Sequence, residues 1–403
     1  MKKIFQICVE GNRGSTGIMA ENIGKHLISL GHDSYISHAR FFRESESEII
    51  KIGNFYDVLS HVLLTRFTDR HCFGSKNATK KLITEIKRIN PDLIHLHHLH
   101  GYYVNIEILF SFLKEFKKPV VWTFHDCWSF TGHCAHFDFI ECNKWVTQCY
   151  ECPQIKEYPS SFYDRSKQNY IDKKKIFNSL DNLTIVSVSN WLQRLVKKSF
   201  LSSLPNLVIH NGINLDIFKP VSSLFKDKYE LNNKIVLLSS ATSWTLKKGF
   251  NDFLRLSKIL PKDYIIVIIG LSNSQIKSLP SNILGLPITE NVFSLVEAYT
   301  AADIYLNLSY EETFGLTMIE SMACGTPVIA YNCTSGPEIV NDEVGLISKK
   351  GSVENLKDNI EFLKSKLSKE LSNNCRDYVK KNFSAEKQLN SYYDLYNSLI
   401  DER

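Results

Sequence analysis

The 403-residue sequence has no apolar stretch that reaches the roughly 18 residues needed to cross a bilayer, so it offers no helical membrane span. Its start, MKKIFQICVEG, breaks its apolar run at Glu10, too soon for the apolar core of a secretory signal, and reads instead as a first buried strand. On that reading the ten cysteines are expected in a reducing compartment, and the protein in the cytoplasm or peripherally on the inner face of the cell membrane. Strong charge is missing too. A formal net charge of +5 is too mild to argue for a nucleic-acid partner, although it allows a basic face toward anionic lipid. What remains, 43% hydrophobic and 23% charged residues, is ordinary for a globular protein, and the length suits two domains.

Two familiar phosphate-binding motifs are also absent. The stretch ICVEGNRGSTGIMAENIG, Ile7 to Gly24, reads as strand, glycine-rich loop and helix. Its glycines, Gly11, Gly14 and Gly17, do not make the G-x-G-x-x-G of a dinucleotide site. The second strand, DSYISHAR, ends in His38, Ala39 and Arg40 rather than in the acidic residue that would hold a ribose. No Lys-Ser or Lys-Thr follows the glycines, so the loop is not a P-loop. Two readings stay open. The loop is a tight turn that needs small residues, or the backbone N–H groups around Gly14, Ser15 and Gly17 face an anion.

The first half alternates short apolar runs (KKIFQICVE, DSYISHA, DLIHLHH, KPVVWTFHD, LTIVSVS) with helical patterns such as GIMAENIGKHLISLG and ATKKLITEIKRIN. The second half repeats the theme with KIVLLSS, DYIIVIIG, DIYLNLS and PVIAYN between the helices GFNDFLRLSKIL, SLVEAYTAA and GLTMIESMACG. Such alternation predicts parallel sheets covered on both faces. We expect an α/β protein of two doubly wound, Rossmann-like domains, residues 1–203 and 221–383, facing a central cleft. The Asn-, Gly- and Pro-rich stretch 204–220 would link them, and a C-terminal helix, 384–403, would cross back to the first domain.

The most informative segment is SYEETFGLTMIESMACGTPVIAYNCTSGPEIV, Ser309 to Val340. Glu312 follows a strand, and Glu320 lies about two turns into the next helix. Between them Phe314, Gly315 and Leu316 form the helix start, with free N–H groups and the positive end of the helix dipole. That pattern suits a sugar nucleotide, with diphosphate on the helix start and hydroxyls on the carboxylates. Two isolated surface glutamates would give the same spacing.

The segment resembles the signature of retaining GT-B glycosyltransferases of family 4, or group 1: two glutamates around an F-G-L-type turn, then Ala323-Cys-Gly-Thr-Pro-Val-Ile-Ala330. HNGINLDIFKP, TLKKGF, WTFHD and GSTGIMA fall in the family's order, so the resemblance covers nearly the whole chain. It is nearest to bacterial enzymes that build O-antigen, capsule or exopolysaccharide repeat units, on the markers LIHLHHLHGYYVN and HDCWSFTGHCAHFD…CYECPQ. The resemblance implies a nucleoside-diphosphate sugar as donor and a glycan acceptor on a polyprenyl-diphosphate carrier. It implies catalytic roles for His125, Lys248 and Glu312, and donor contacts from Gly14, Ser15, Gly17, Phe314, Gly315, Leu316 and Glu320. Where many members carry an arginine before the Lys-Gly, this chain has SSATSWTLKKG, with Trp244 and an extra lysine, Lys247; either Lys247 and Lys248 share the phosphate charge or the leaving group is held less tightly than usual. No D-x-D triplet is present, so no catalytic metal is expected and no cofactor is required. The rivals are a sugar-nucleotide epimerase on the same fold and a non-catalytic subunit of a polysaccharide-assembly complex.

Three further features remain. His95 and His97 would share one strand face, and His98 and His100 the other. With no carboxylate or cysteine in register, the cluster reads as a strand end rather than a metal site. Cys134, Cys142, Cys149 and Cys152 could hold a structural zinc or could be reduced, partly buried thiols. Val58–Phe73 and Arg194–Phe200 mix apolar and basic residues and are either solvated helix faces or membrane-docking surfaces.

Overall fold

The computed structural model describes residues 1–402, arranged as two compact units. The first comprises Met1–Ile209 together with the chain from Leu389 onward; the second is His210–Gln388.

In the first unit, β1 (Lys3–Ile7), β2 (Asp33–His38), β3 (Glu48–Lys51), β4 (Leu93–Leu96), β5 (Val120–Phe124), β6 (Leu183–Ser187) and β7 (Asn206–Val208) form one parallel sheet in the order 3-2-1-4-5-6-7. The central strands β4, β5 and β6 are buried at every residue, as their unbroken apolar runs require when helices cover both faces. The edges are different. β3 and β7 are partly exposed, and β7 lies within the stretch read from sequence as linker. Three half-buried residues carry too little periodicity to announce a strand.

The second unit repeats the design with β8 (Ile235–Ser240), β9 (Tyr264–Ile269), β10 (Ile283–Leu286), β11 (Ile304–Asn307), β12 (Val328–Tyr331) and β13 (Gly345–Ser348) in the order 10-9-8-11-12-13. In each sheet the strand order reverses once, between β1 and β4 and between β8 and β11. In such sheets the crevice beyond the carboxyl ends at the reversal is where ligands bind.

The C-terminal helix, Ala385–Asp401, contributes Tyr392 and Tyr396 to the core of the first unit, beside Ile4, Met19, Ile23, Leu93, Val121 and Val186. The Tyr396 hydroxyl bonds His95 Nδ1 at 2.6 Å and that of Tyr392 bonds Thr123 Oγ1 at 3.0 Å, which itself meets His95 Nε2 at 2.8 Å, so the helix pairs the buried His95 Nδ1 and extends the polar chain of β4 and β5. No helix among the described residues is long and apolar enough to cross a membrane.

Candidate active site

In the second unit, the strand reversal gathers the loops after β8 and β11. The first loop ends in a single 3₁₀ turn, Leu246–Lys248, and the second ends at the helix Leu316–Ala323. Gly315 stands just before that helix at φ +91°, a backbone region that side chains resist, and no side chain caps the helix start. Its first N–H groups and the positive end of its dipole therefore remain available to an anion.

The Lys248 ammonium meets Glu312 Oε2 at 2.6 Å. Burial works to lower the lysine pKa, but the Glu312 charge and hydrogen bond, with smaller help from Tyr305 and Glu311, outweigh it and raise the pKa above the ordinary value. Lys248 is therefore a cation held ready by a carboxylate. A parallel pair, Lys247 with Glu311 at 3.5 Å, lies next to it. Glu311 and Ser335 are residues of this site that the sequence did not single out. The buried Ser335 hydroxyl bonds the carbonyls of Glu312 and Phe314, each at 2.9 Å, and so fixes the loop that presents Glu312. The one signal for Glu311 was its place beside Glu312, and Ser335 carried none.

Glu320 sits in the second turn of its helix, closer to the helix start than the two turns read from sequence. Its Oε2 accepts the Tyr299 hydroxyl at 2.9 Å, and that hydroxyl is anchored to Ser240 Oγ at 2.9 Å at the end of β8. Burial pushes its carboxyl up to about 7, against the opposing Tyr299 hydrogen bond.

The Phe314 ring is buried, with its centre 5.8 Å from that of His210 and 5.7 Å from that of Phe383, so this residue can offer a ligand only its backbone. Trp244, at the place of the missing arginine, is likewise core: its indole N–H donates to Ile269 O at 2.8 Å.

In the first unit, the glycine loop leads into the helix Gly14–Ser29, which has no side-chain cap. Gly14 and Ser15 are exposed. Gly17 is buried, and a Cβ there would lie 2.7 Å from the Glu10 carbonyl oxygen; the small residue is demanded by packing of the helix on the β1 end.

Around the β4 and β5 ends the histidines group as expected, His95 with His97 (ring centres 4.0 Å apart) and His98 with His100 (4.5 Å). β4 ends at Leu96, however, so His97, His98 and His100 lie on the loop beyond it. The expectation that no carboxylate stands in register fails, because Asp126, from just beyond β5, reaches both outer histidines. Its Oδ2 lies 2.7 Å from His100 Nε2 and 3.4 Å from His98 Nε2. The contact joins segments distant in sequence, which strand periodicity alone cannot see. Among the described residues, His98, His100 and Asp126 are a group whose potential ligand atoms all lie within 4.8 Å of one another. The other nitrogens of the two imidazoles are engaged by Thr16 Oγ1 at 3.3 Å and the Tyr158 hydroxyl at 3.0 Å. Burial tends to raise the pKa of Asp126, but the His100 charge and hydrogen bond and the His98 charge hold it well below the carboxylate range.

His125 stacks on His97, with ring centres 5.7 Å apart, and meets His98 edge-on at 4.8 Å. Burial, then the nearby His98 and His97, lower its pKa far below the usual histidine value despite Asp126. It is a neutral imidazole at neutral pH.

Residues 16–217, half of the chain, match the family model described as Glycosyltransferase Family 4, and residues 222–382 match that of Glycosyl transferases group 1. The chain belongs to glycosyltransferase family 4. It is 29% identical over 170 residues to a putative colanic acid biosynthesis glycosyl transferase, WcaC, of Escherichia coli K12, a match that spans 40% of this chain and 40% of that relative's length. It is 24% identical over 325 residues to an uncharacterized 41.2 kDa protein in the cps region of Klebsiella pneumoniae, covering 79% of this chain and 82% of the relative. Among solved structures, sucrose-phosphate synthase from Thermosynechococcus elongatus aligns over 100% of both chains with a TM-score of 0.72 at 17% identity. Anabaena Alr3699/HepE, solved in complex with UDP, aligns over 99% of this chain and 100% of its own with a TM-score of 0.68 at 14% identity. The two parallel-sheet units are those of the GT-B fold.

Proposed function

We propose that this protein transfers a hexose-type sugar from a nucleoside diphosphate to a growing, lipid-linked bacterial polysaccharide unit, with retention of anomeric configuration and without a catalytic metal. The observation that carries the reading is the Lys248–Glu312 pair beside the uncapped start of the helix Leu316–Ala323, at the strand reversal of the second unit. Family membership and the polysaccharide-linked names of two relatives support it.

As the bond between the anomeric carbon and the diphosphate breaks, negative charge grows on the leaving oxygen. Fixed positive groups there stabilise the transition state more than the bound donor. Lys248 and the helix start supply that charge. Glu312 holds the ammonium in place before the donor arrives and offers its second oxygen to sugar hydroxyls. Glu320, ionised above about pH 7, accepts from the ribose. His125, neutral, exchanges hydrogen bonds with the donor sugar without adding charge.

A lipid-linked acceptor would place part of the protein at a membrane surface. The helix Phe55–Thr68 exposes Phe55, Leu59, Leu63 and Phe67 at four-residue spacing along one face, and Phe67 packs against the exposed Phe162, with ring centres 5.6 Å apart. Of the two segments considered for membrane contact, this one has the apolar stripe for it. Co-sedimentation with anionic vesicles should fall when Leu63 and Phe67 are both changed to Ser; unchanged binding would remove this surface from the proposal.

The decisive experiment incubates the protein with a panel of nucleoside-diphosphate sugars, with and without a polyprenyl-diphosphate-linked glycan. Acceptor-dependent release of nucleotide, and a product whose anomeric configuration matches the donor by NMR, is the expected result. Interconversion of nucleotide sugars without acceptor would make it an epimerase. No turnover with any pair would leave it a non-catalytic subunit.

A further inference from the structure

Between β5 and the helix Ser166–Phe177 the chain runs from His125 to Arg165 with no regular structure beyond two single 3₁₀ turns, Trp128–Phe130 and Lys144–Val146. Irregular connections longer than about 15 residues are uncommon inside compact units unless something ties them down. Its two ends are tied to the rest of the unit, through Asp126 with His100, Tyr158 with His100, Ser161 with the Arg66 carbonyl and the Arg165 amide with Asp69, while its middle relies more on its own contacts. A small core of Phe130, Phe137 and Trp145 stacks at its centre, and Lys144 Nζ donates to the carbonyls of Tyr150 and Glu151, both at 3.0 Å.

Four of the five cysteines of this segment, Cys134, Cys142, Cys149 and Cys152, line one small cavity, of about 20 Å³, together with Thr131, His133 and Phe137. That is room for a single atom or ion rather than for an organic ligand. Cys134 and Cys152 hydrogen-bond through their side chains, the Gly132 amide donates to Cys149 Sγ at 3.2 Å, and none of the cysteines forms a disulfide.

Two buried nitrogen groups bear on the cavity: His133 in its wall, and Lys173 outside it, whose pKa burial lowers to about 7. Lys173 is buried; its ammonium donates to the carbonyls of Trp128 at 2.8 Å and Thr131 at 3.1 Å and lies 3.4 Å from the centre of the Trp128 ring. No carboxylate forms an ion pair with it among the described residues, although a buried cation is costly without an anion nearby. His133 is fully buried. Its Nδ1 is held by Asp69 at 2.6 Å while its Nε2 has no hydrogen-bond partner.

We propose that Cys134, Cys142, Cys149 and Cys152 bind one zinc ion as thiolates, and that this ion is the tie that orders the segment. Four thiolates are a closed, structural ligand set for zinc. The complex carries two net negative charges. They give the Lys173 ammonium its counter-charge and the orphaned His133 nitrogen a sulfur partner, in the way outer groups commonly support metal-bound ligands. The sulfurs stand further apart than the ligand atoms of His98, His100 and Asp126, so zinc would draw them inward around the cavity. The histidine group is the weaker candidate because His100 and Asp126 already satisfy each other at 2.7 Å.

Full-length protein, expressed with zinc in the medium and purified without a metal-affinity tag or chelator, should contain about one zinc per chain by elemental mass spectrometry. Mercurial titration of the thiols should release that zinc stoichiometrically. The double variant Cys149→Ser/Cys152→Ser should carry less than a tenth of it. Should that variant fail to fold, cobalt-substituted wild-type protein decides, through tetrahedral d–d bands and thiolate charge-transfer intensity proportionate to four sulfurs. His133→Ala should leave that spectrum intact; its loss would overturn the four-cysteine set in favour of a histidine ligand. Metal-free or iron-containing protein, or a disulfide among the four cysteines, would overturn the proposal.

Discussion

The two strand reversals occupy equivalent places in two similar sheets, yet they solve opposite electrostatic problems. At the second, Lys247 pairs with Glu311 and Lys248 with Glu312, and the Glu312 contact keeps Lys248 a cation despite its burial. At the first, His97, His98 and His125 crowd together, and burial holds all three below the usual histidine range, His98 at about 4. One site stores charge in cancelling pairs that a ligand can reorganise. The other presents imidazoles stripped of charge beside one ionised carboxylate, Asp126. The difference teaches that fold symmetry does not carry chemical symmetry with it.

The largest expected effect would break the comparison outright. In the first unit His61 and His95 are pushed down to about 3 by burial and His98 to about 4, so the folded state binds fewer protons than the unfolded chain below pH 6.5. Stability present above pH 6.5 is then lost as pH falls toward these folded values, by up to about 1.4 kcal/mol per pH unit for each histidine. Hydrogen exchange at pH 5 should therefore show β4 and β5 opening well before β11 and β12. Simultaneous opening of both sheets would mean that the histidine burial carries no such cost.

Next in size is Lys248→Ala, which removes the cation from the charged reversal. Loss of one preorganised group at such a place costs about 3 kcal/mol, or roughly a hundredfold in turnover. The double change with Lys247→Ala should fall well below either single variant if the lysines share the phosphate. Turnover within about threefold of wild type for Lys248→Ala, with donor binding retained, would move the phosphate to the Gly14–Gly17 loop.

Finer resolution comes from the two glutamates. Glu312→Gln should lower kcat more than it raises KM, and Glu320→Gln should do the reverse. Because the Glu320 carboxyl titrates at about 7, donor affinity should weaken as pH falls from 8 to 6, approaching a tenfold loss per pH unit below 7, and Glu320→Gln should flatten that profile. A wild-type profile already flat would remove Glu320 from the donor site.

The smallest effect concerns the rigidity behind the neutral reversal. Tyr396→Phe leaves His95 Nδ1 without its 2.6 Å partner and should cost about 1–3 kcal/mol of stability, read from denaturant midpoints, with little change in kcat.

How much of this was legible beforehand follows from range. The glycine loop, the buried strands β5, β8 and β12 and the helix start at Leu316 are written in local patterns of period and turn chemistry, and the sequence yields them directly. The strands β3, β7, β10 and β13 are only partly buried and lack the unbroken apolar run that marks β12 at a similar length, so they are not told from loop by pattern. Glu312 and Lys248 were recognisable one by one, but their 2.6 Å pairing joins segments 64 residues apart. The same holds for Asp126 and the outer histidines, where adjacency exists only once β4 and β5 pair. Phe314 illustrates the opposite limit: its position in the motif was clear, but whether its ring meets ligand or core depends on His210 and Phe383, which no local pattern names.

The return of the C-terminal helix to the first unit has a consequence for biosynthesis. On the ribosome, the strands of that unit emerge long before Tyr392 and Tyr396, and the whole second unit is made in between. The first unit must wait with His95 Nδ1 unpaired until the helix Ala385–Asp401 appears. A fragment ending at Ile209 would inherit that open face permanently. The second unit, one uninterrupted stretch from His210 to Gln388, carries no such debt to distant sequence and is the natural piece to express alone.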